Sequence, residues 1–187
     1  MKRVCNLLFL LLLISCNEKD SEFKLQKFFS TAWDESYCVT EKDCFFFVAD
    51  KDRFDLTLLY SHENEAKQIL DSMDYADIQH SSLLYSFQSE QDRSCVVLWK
   101  IEHEFYPTFK AFYLKDGQCV KIGDWGVYKP CETCDTYDYP IEAIRIDRKN
   151  ERIEISFLED VEFVDYSHDS SNDKWTTFTA GTLKLSF

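Results

Sequence analysis

The chain has 187 residues, of which 45% are hydrophobic, 16% aromatic and 29% charged, a composition typical of a globular protein and too hydrophobic for a disordered one. Its 34 acidic and 21 basic residues give a formal net charge of −13. This charge argues against a nucleic-acid partner, since nucleic-acid binding needs a basic surface. With only 4 glycines and 3 prolines, collagen-like, linker-like and glycine-loop architectures are excluded.

The start of the chain carries the features of a bacterial export signal. Lys2 and Arg3 precede an unbroken apolar run at residues 7–14, which is shorter than the roughly 20 residues of a membrane-spanning helix. The run ends in Leu13-Ile14-Ser15-Cys16, which resembles the lipobox of bacterial lipoproteins. The resemblance implies cleavage before Cys16, a diacylglycerol on its sulfur and, usually, an acyl chain such as palmitate on the new amino terminus.

We therefore expect residues 1–15 to be a signal peptide and Cys16 to hold the chain on a bilayer, because two or three acyl chains anchor a protein stably. The alternative is an ordinary secretory signal, but its A-x-A-like cleavage site is missing from the sequence. The polar stretch that follows, up to residue 22, predicts a tether. It is acidic and resembles the export signal of some surface lipoproteins. The expected location is the outer membrane, on its periplasmic face or at the cell surface.

Two segments in the first half of the chain have apolar residues at helical spacing. Residues 23–33 predict a short N-terminal helix. Ser61 is a suitable N-cap for a second helix, which would run to about Met73 with Glu63 and Glu65 in its first turn.

The remaining segments alternate apolar and polar residues as half-buried β-strands do. Asp116-Gly117 predicts a hairpin turn, a polar run at residues 148–151 predicts a second, and Gly181 is expected to break the last segment into two strands. The predicted strands cover residues 45–49, 54–60, 83–87, 95–101, 108–114, 118–122, 141–146, 153–157, 161–164 and 175–187. The fold class is therefore mainly β (β-rich α+β): an antiparallel sheet or sandwich with one or two short helices, in one domain over residues 23–187.

The cysteines of the mature chain predict a set of disulfides, because the bacterial envelope is oxidising. The candidates are Cys38, Cys44, Cys95, Cys119, Cys131 and Cys134. Short separations favour Cys38 with Cys44 and Cys131 with Cys134. Cys95 and Cys119 would then join two non-adjacent strands. Cys131-Glu132-Thr133-Cys134 is also a C-x-x-C motif, for which a metal site and a redox centre are the alternatives to a structural disulfide.

No motif assembles a catalytic, cofactor or metal site. The sequence lacks H-E-x-x-H and G-x-S-x-G, and its four histidines are scattered. The closest approach to a phosphate-binding loop, Gly123-Asp124-Trp125-Gly126, carries an acid that would repel phosphate. We therefore expect a protein that is not an enzyme, has no cofactor and binds no metal.

Residues 124–139 combine aromatic and acidic side chains, a composition that suits contact with a cationic protein. The alternative is that the aromatic residues belong to the core. The candidates for partner contact are Trp125, Tyr128, Glu132, Asp135, Tyr137, Asp138 and Tyr139. The resulting hypothesis is an envelope-anchored, non-enzymatic binding module, in its sharper form an inhibitor or immunity protein against a cationic hydrolase or toxin. The alternative is an accessory or structural subunit of an outer-membrane assembly or transport complex.

Overall fold

The computed structural model describes residues 20–30, 36–50, 55–74, 82–102, 106–131, 138–166 and 174–187. These residues form two antiparallel sheets and one short 3-10 helix, Ile141–Ala143. The mainly β class expected from the sequence is confirmed. The strands are β1 (Ser21–Ser30), β2 (Ser36–Cys38), β3 (Asp43–Asp50), β4 (Asp55–His62), β5 (Gln68–Asp74), β6 (Ser82–Ser89), β7 (Cys95–Glu102), β8 (Pro107–Lys115), β9 (Gln118–Tyr128), β10 (Ile144–Lys149), β11 (Arg152–Phe157), β12 (Val161–Asp165), β13 (Thr176–Phe178) and β14 (Lys184–Ser186).

The larger sheet contains ten of these strands, in the order β13-β12-β9-β8-β7-β6-β1-β10-β11-β14. It curls until its two ends face each other. Trp125 of β9 stacks on Phe187, which follows β14, with 6.2 Å between the ring centroids. The inner face of the curl encloses the main hydrophobic core, to which strands from both ends of the sheet contribute.

The smaller sheet, in the order β2-β3-β4-β5, packs on the outer face of the larger one. Strand β7 is covered on both faces of the larger sheet, since seven of its eight residues are buried. Val96 and Leu98 point into the main core. Val97 and Trp99 point the other way, into a second core shared with Phe47 of β3. Alternation along one buried strand thus supplies two cores.

Both hairpin turns expected from the sequence are confirmed. Asp116 and Gly117 join β8 to β9 with φ values of 51° and 76°. Asn150 and Glu151 join β10 to β11 with φ values of 48° and 66°. Two positive φ values in a two-residue loop give the backbone twist that matches paired strands. Gly181 lies in the turn between β13 and β14, so the last segment is two strands as expected.

The two predicted helices are wrong. The first segment is strand β1, which pairs with β6 on one side and β10 on the other. The second is a hairpin: β4 ends at His62, Glu63 and Asn64 turn the chain, and β5 begins at Gln68. Strand β1 lies between β6 and β10, and β5 pairs with the edge of β4. The backbone groups of both segments therefore form hydrogen bonds with neighbouring strands, whereas a short isolated helix would have to satisfy its own. Because β1 begins at Ser21, the last two residues of the predicted tether belong to the sheet.

The described part of the chain contains no helix long and apolar enough to cross a membrane.

Candidate protein-binding surface

Four partly exposed aromatic side chains meet at one end of the larger sheet: Tyr106, Tyr128, Tyr166 and Trp175, called here the aromatic cluster. Trp175 lies at the centre, with its ring centroid 4.6 Å from that of Tyr106 and 5.0 Å from that of Tyr128. The hydroxyls of Tyr166 and Tyr106 are 3.3 Å apart. The rings therefore hold one another in place, which lowers the entropy lost when such a surface binds a partner.

Strand register places this cluster on the outer face of the sheet. Gly126 of β9 lies opposite Thr108, which in turn lies opposite Ile101 of the second core. Tyr128 is two residues beyond Gly126 and so projects from the same face. The smaller sheet covers the middle of this face, and the aromatic cluster lies beyond it, at the ends of strands β8, β9, β12 and β13.

Gly126 lets the rings approach the backbone of β9. A Cβ atom at this position would lie 2.8 Å from Val164 Cγ1, 2.9 Å from Trp175 Cη2 and 3.1 Å from Tyr166 Cε2. Distances below 3.0 Å are too short for a real Cβ contact. The absence of a side chain at Gly126 is thus what allows Trp175 and Tyr166 to approach the strand this closely.

The cluster has an acidic neighbour on the same strand face. Glu162 of β12 lies directly opposite Tyr128 of β9 and Thr177 of β13. The Thr177 hydroxyl donates a hydrogen bond to the Glu162 carboxylate. This contact fixes the carboxylate beside the aromatic rings.

The structure divides the residues expected to contact a partner. Tyr128 is part of the aromatic cluster, and Asp138 is exposed, 2.7 Å from the Lys100 ammonium. Trp125 and Tyr139 are each only 1% exposed, so the prediction that they contact a partner is wrong and the core alternative holds for them. Trp125 is buried because successive residues of a strand face opposite sides of the sheet. Gly126 is on the outer face, so the side chain of Trp125 points into the main core. Glu132, Asp135 and Tyr137 lie outside the described residues.

Tyr139 is buried because it anchors the end of a loop. Its ring packs edge-on against Phe157, with centroids 5.3 Å apart, and its hydroxyl contacts the backbone of Glu159. The backbone amide of Lys129 donates to the Asp138 carbonyl across the base of the same loop. The Lys129–Asp138 hydrogen bond and the contacts of Tyr139 therefore close the base of the loop that contains the C-x-x-C motif.

Lys100 connects this loop to the larger sheet. Its ammonium lies 2.7 Å from Asp138 and 3.1 Å from Glu102, and the side chain is almost fully buried. Burial alone would lower the pKa of Lys100, but the two carboxylates outweigh it and raise the pKa. Lys100 is therefore a charged structural anchor rather than a neutral base.

Sequence reasoning missed Tyr106, Tyr166 and Trp175. Each lies next to a strand end but far from the other two in sequence, so only the pairing of β8, β9, β12 and β13 brings them together. The one available signal was the frequency of aromatic residues at predicted strand ends. That signal does not say which strand ends are neighbours.

The cysteines follow the predicted pairing only in part. Cys38 and Cys44 form a disulfide between directly opposed residues of β2 and β3. Cys131 is also disulfide-bonded, and Cys134 lies outside the described residues.

The expected link between Cys95 and Cys119 is wrong, because both are buried thiols. Leu114 of β8 pairs with Cys95 on one side and Cys119 on the other. The two cysteines are thus separated by two strand spacings, roughly 9–10 Å, beyond the reach of a disulfide. Cys119 packs in the second core, where burial raises the pKa of its thiol to about 12, so it is a poor nucleophile.

A cleft of about 300 Å³ lies at the seam where β9 and β12 face β14. Trp125 and Phe187 form its apolar wall, and its lining also contains two acidic residues, Asp124 and Asp165, and one basic residue, Lys184. The indole Nε1 of Trp125 is buried and makes no hydrogen bond in the structure. Among the described residues, no three His, Cys, Asp or Glu side chains converge as a metal site would require.

No protein-family model, curated protein or solved structure matches this chain.

Proposed function

We propose that the protein is an envelope-anchored lipoprotein, held by Cys16, that binds a cationic protein through the aromatic cluster. In its sharper form it acts as an inhibitor or immunity protein against a cationic hydrolase or toxin directed at the envelope. The single observation that carries the proposal is the set of four interlocked, partly exposed aromatic rings with Glu162 fixed beside them.

Aromatic side chains on a rigid surface are the usual source of binding energy in protein interfaces. Tyrosine and tryptophan offer a large apolar area together with one hydrogen-bond donor, which can find an acceptor on the partner when the ring is buried in an interface. In this surface the rings are already ordered by contacts with Trp175 and by the close approach to Gly126. A partner would therefore gain contact area without the entropy cost of ordering these side chains first.

The distribution of charge favours a cationic partner. Most lysine and arginine side chains in the described ranges are in ion pairs with acidic residues, as in the pairs Lys129–Glu159 and Lys184–Glu154. Because the chain carries a formal net charge of −13, pairing the bases leaves an excess of carboxylates to set the outer potential. Such a potential attracts a basic protein and repels an acidic one.

The alternative, a subunit of an outer-membrane assembly, is favoured by a second exposed surface. Phe46, Leu59 and Ile69 lie side by side across β3, β4 and β5 on the outer face of the smaller sheet. Ile69 is 69% exposed. Two separate interfaces are what a protein needs when it links two other components.

The proposal is tested with a soluble form that lacks residues 1–15 and carries Cys16→Ser. This form is used to capture proteins from envelope and secreted fractions at low and moderate salt, and the affinity of the recovered protein is then measured against single variants. We expect Trp175→Ala and Tyr128→Ala each to weaken binding by at least about tenfold, as hot-spot residues do.

The matched control is Ile69→Ala, which removes an exposed apolar side chain from the smaller sheet. It should leave the affinity unchanged if the aromatic cluster is the interface. A recovered protein that is acidic, or one whose affinity depends on Ile69 and not on Trp175, would contradict the proposal. Integral membrane proteins recovered in fixed ratio would instead support the assembly subunit.

A further inference from the structure

We infer that the aromatic cluster faces away from the bilayer, so that the partner is a soluble protein arriving from the aqueous side and not an integral protein of the same membrane. This inference rests on the proposed function, because it takes Cys16 as the lipid anchor and the aromatic cluster as the binding surface. It adds the orientation of the domain and the physical class of the partner.

The chain between the anchor and the fold is short. Strand β1 begins at Ser21, where Ser21 pairs with Arg148 of β10. Residues 16–20 therefore have to cover the whole distance from the lipid to the sheet. A fully extended chain spans at most about 3.6 Å per residue, which gives roughly 18 Å for this stretch. The end of the sheet that contains Ser21 must stay close to the membrane surface.

Three turns lie at the same end of the strands as Ser21, and this end of the sheet is called here the turn edge. Strand register carries the edge across the sheet, from Phe23 to Ser89, from Gln88 to Cys95 and onward to the hairpin at Lys115 and Gln118. On the other side, β10 and β11 meet in the hairpin at Asn150 and Glu151. These turns are therefore the part of the domain nearest the bilayer.

The aromatic cluster lies at the opposite end of the strands. Tyr128 is the last residue of β9, whose first residue, Gln118, lies on the turn edge. Tyr106 directly precedes Pro107, the first residue of β8, which runs toward the turn edge. At about 3.3 Å per residue, Tyr128 lies roughly 30 Å along β9 from the turn edge.

The strand order separates the two regions sideways as well. Strand β9 is four positions from β1 in the curled sheet, through β8, β7 and β6. The cluster therefore lies at the far end of the strands and around the curl from the anchored strand. Tilting the domain toward the membrane on the side of β1 would move the cluster still farther from the lipid.

The charges of the turn edge are mixed. Arg93 and Arg152 are exposed there, and so are Glu22, Asp116 and Glu151. The orientation of the domain therefore follows from the reach of the tether and from the strand geometry, not from charge.

The test uses the full lipidated chain in vesicles of phosphatidylethanolamine and phosphatidylglycerol with a nitroxide label on a fraction of the headgroups. A fluorophore is attached through Arg152→Cys, on the turn edge, or through Thr177→Cys, beside the aromatic cluster. We expect the nitroxide to quench the fluorophore at position 152 several-fold more strongly than the one at position 177. Equal quenching, or stronger quenching at position 177, would overturn the inference.

Two further readouts separate this inference from the proposed function. Failure of the chain to float with the vesicles would overturn the anchor and the orientation together. Trp175→Ala should weaken partner binding by at least about tenfold and leave the quenching difference unchanged. If the quenching difference is found but Trp175→Ala binds the partner normally, the orientation is supported and the proposed binding surface is contradicted.

Discussion

Asp43 shows how one buried carboxylate can organise a segment of this fold. It is 9% exposed and accepts hydrogen bonds from the Tyr60 hydroxyl at 2.6 Å, the Thr40 hydroxyl at 2.6 Å and His62 Nδ1 at 2.7 Å. Burial alone would raise the pKa of Asp43, but these donors together outweigh burial and lower the pKa. The carboxylate thereby ties the Cys38–Cys44 loop to strand β4.

We predict that Asp43→Asn lowers the free energy of unfolding by about 2–3 kcal/mol at neutral pH, because hydrogen bonds to a buried charge are lost. The pKa of Asp43 is lower in the folded than in the unfolded chain, where an aspartate has a pKa of about 4. Its contribution is therefore complete above that pH and is lost as the pH falls through the lower, folded-state pKa. Urea unfolding between neutral and acid pH should show the wild type and the variant converging in acid.

The control for this prediction is Asp116→Asn, the same chemical change at an exposed carboxylate in the β8–β9 hairpin. It should change stability by less than about 0.5 kcal/mol. A constant difference between wild type and Asp43→Asn down to strongly acid pH would show that the charge of Asp43 does not matter.

At the scale of elements, the sequence was informative where alternation was long and failed where apolar residues were ambiguous. Strands β7 to β12 were all anticipated, since their alternation and their Asp-Gly and Asn-Glu turns agree with each other. In contrast, the apolar spacing around Ile69 and Met73 fits a helix as well as a strand with a bulge. Strand β5 has such a register shift opposite Leu58 and Leu59, and the available edge of β4 decided the outcome.

A network of four charges holds the smaller sheet on the larger one. Asp71 of β5 lies 3.0 Å from the Lys110 ammonium of β8 and 2.5 Å from that of Lys121 on β9. Lys121 also lies 2.7 Å from Asp124. Burial alone would raise the pKa of Asp71, but Lys121 and Lys110 lower it overall. Because its partners come from different strands, Asp71 links elements that are not adjacent in sequence.

We predict that Asp71→Asn destabilises the protein by roughly 2–3 kcal/mol, since it removes one of the two carboxylates of the network and leaves Lys110 and Lys121 with Asp124 alone. The effect should be smaller than for a fully buried pair because Lys121 is about one-third exposed. Thermal unfolding and hydrogen exchange in β4 and β5 are the measurements. Glu90→Gln, which breaks the exposed Lys24–Glu90 pair, should have a much smaller effect, because solvent screens exposed charges. Equal effects of the two substitutions would contradict a structural role for the network.

At the scale of the whole molecule, the net charge of −13 should govern how fast a cationic partner arrives. We predict that the association rate of the captured partner falls steeply as ionic strength rises, because long-range attraction is screened over about 10 Å at 0.1 M salt. The dissociation rate should change little, since it depends on the aromatic contacts. Stopped-flow or surface-based kinetics at several salt concentrations would check this. An association rate independent of salt would show that the charge only keeps the protein soluble.

The candidate surface illustrates the limit of sequence reasoning. Tyr128 was identified because it lies in a stretch dense in aromatic and acidic residues, and Trp125 was included for the same reason. Composition cannot tell apart two residues that are three positions apart on one strand and point to opposite faces. The structure buries Trp125 and exposes part of Tyr128, which it joins to Trp175.

The sequence by itself determined the β class, the approximate positions of most strands, both tight turns and the Cys38–Cys44 pairing, because each depends on residues close together in the chain. It also contains the lipobox-like segment ending at Cys16, which stays a prediction. Only the tertiary structure decided that β1 and β5 are strands, that Cys95 and Cys119 are too far apart to be joined, and which aromatic residues meet. These outcomes depend on which strands are neighbours, and non-local pairing is stabilised by contacts that no local pattern records.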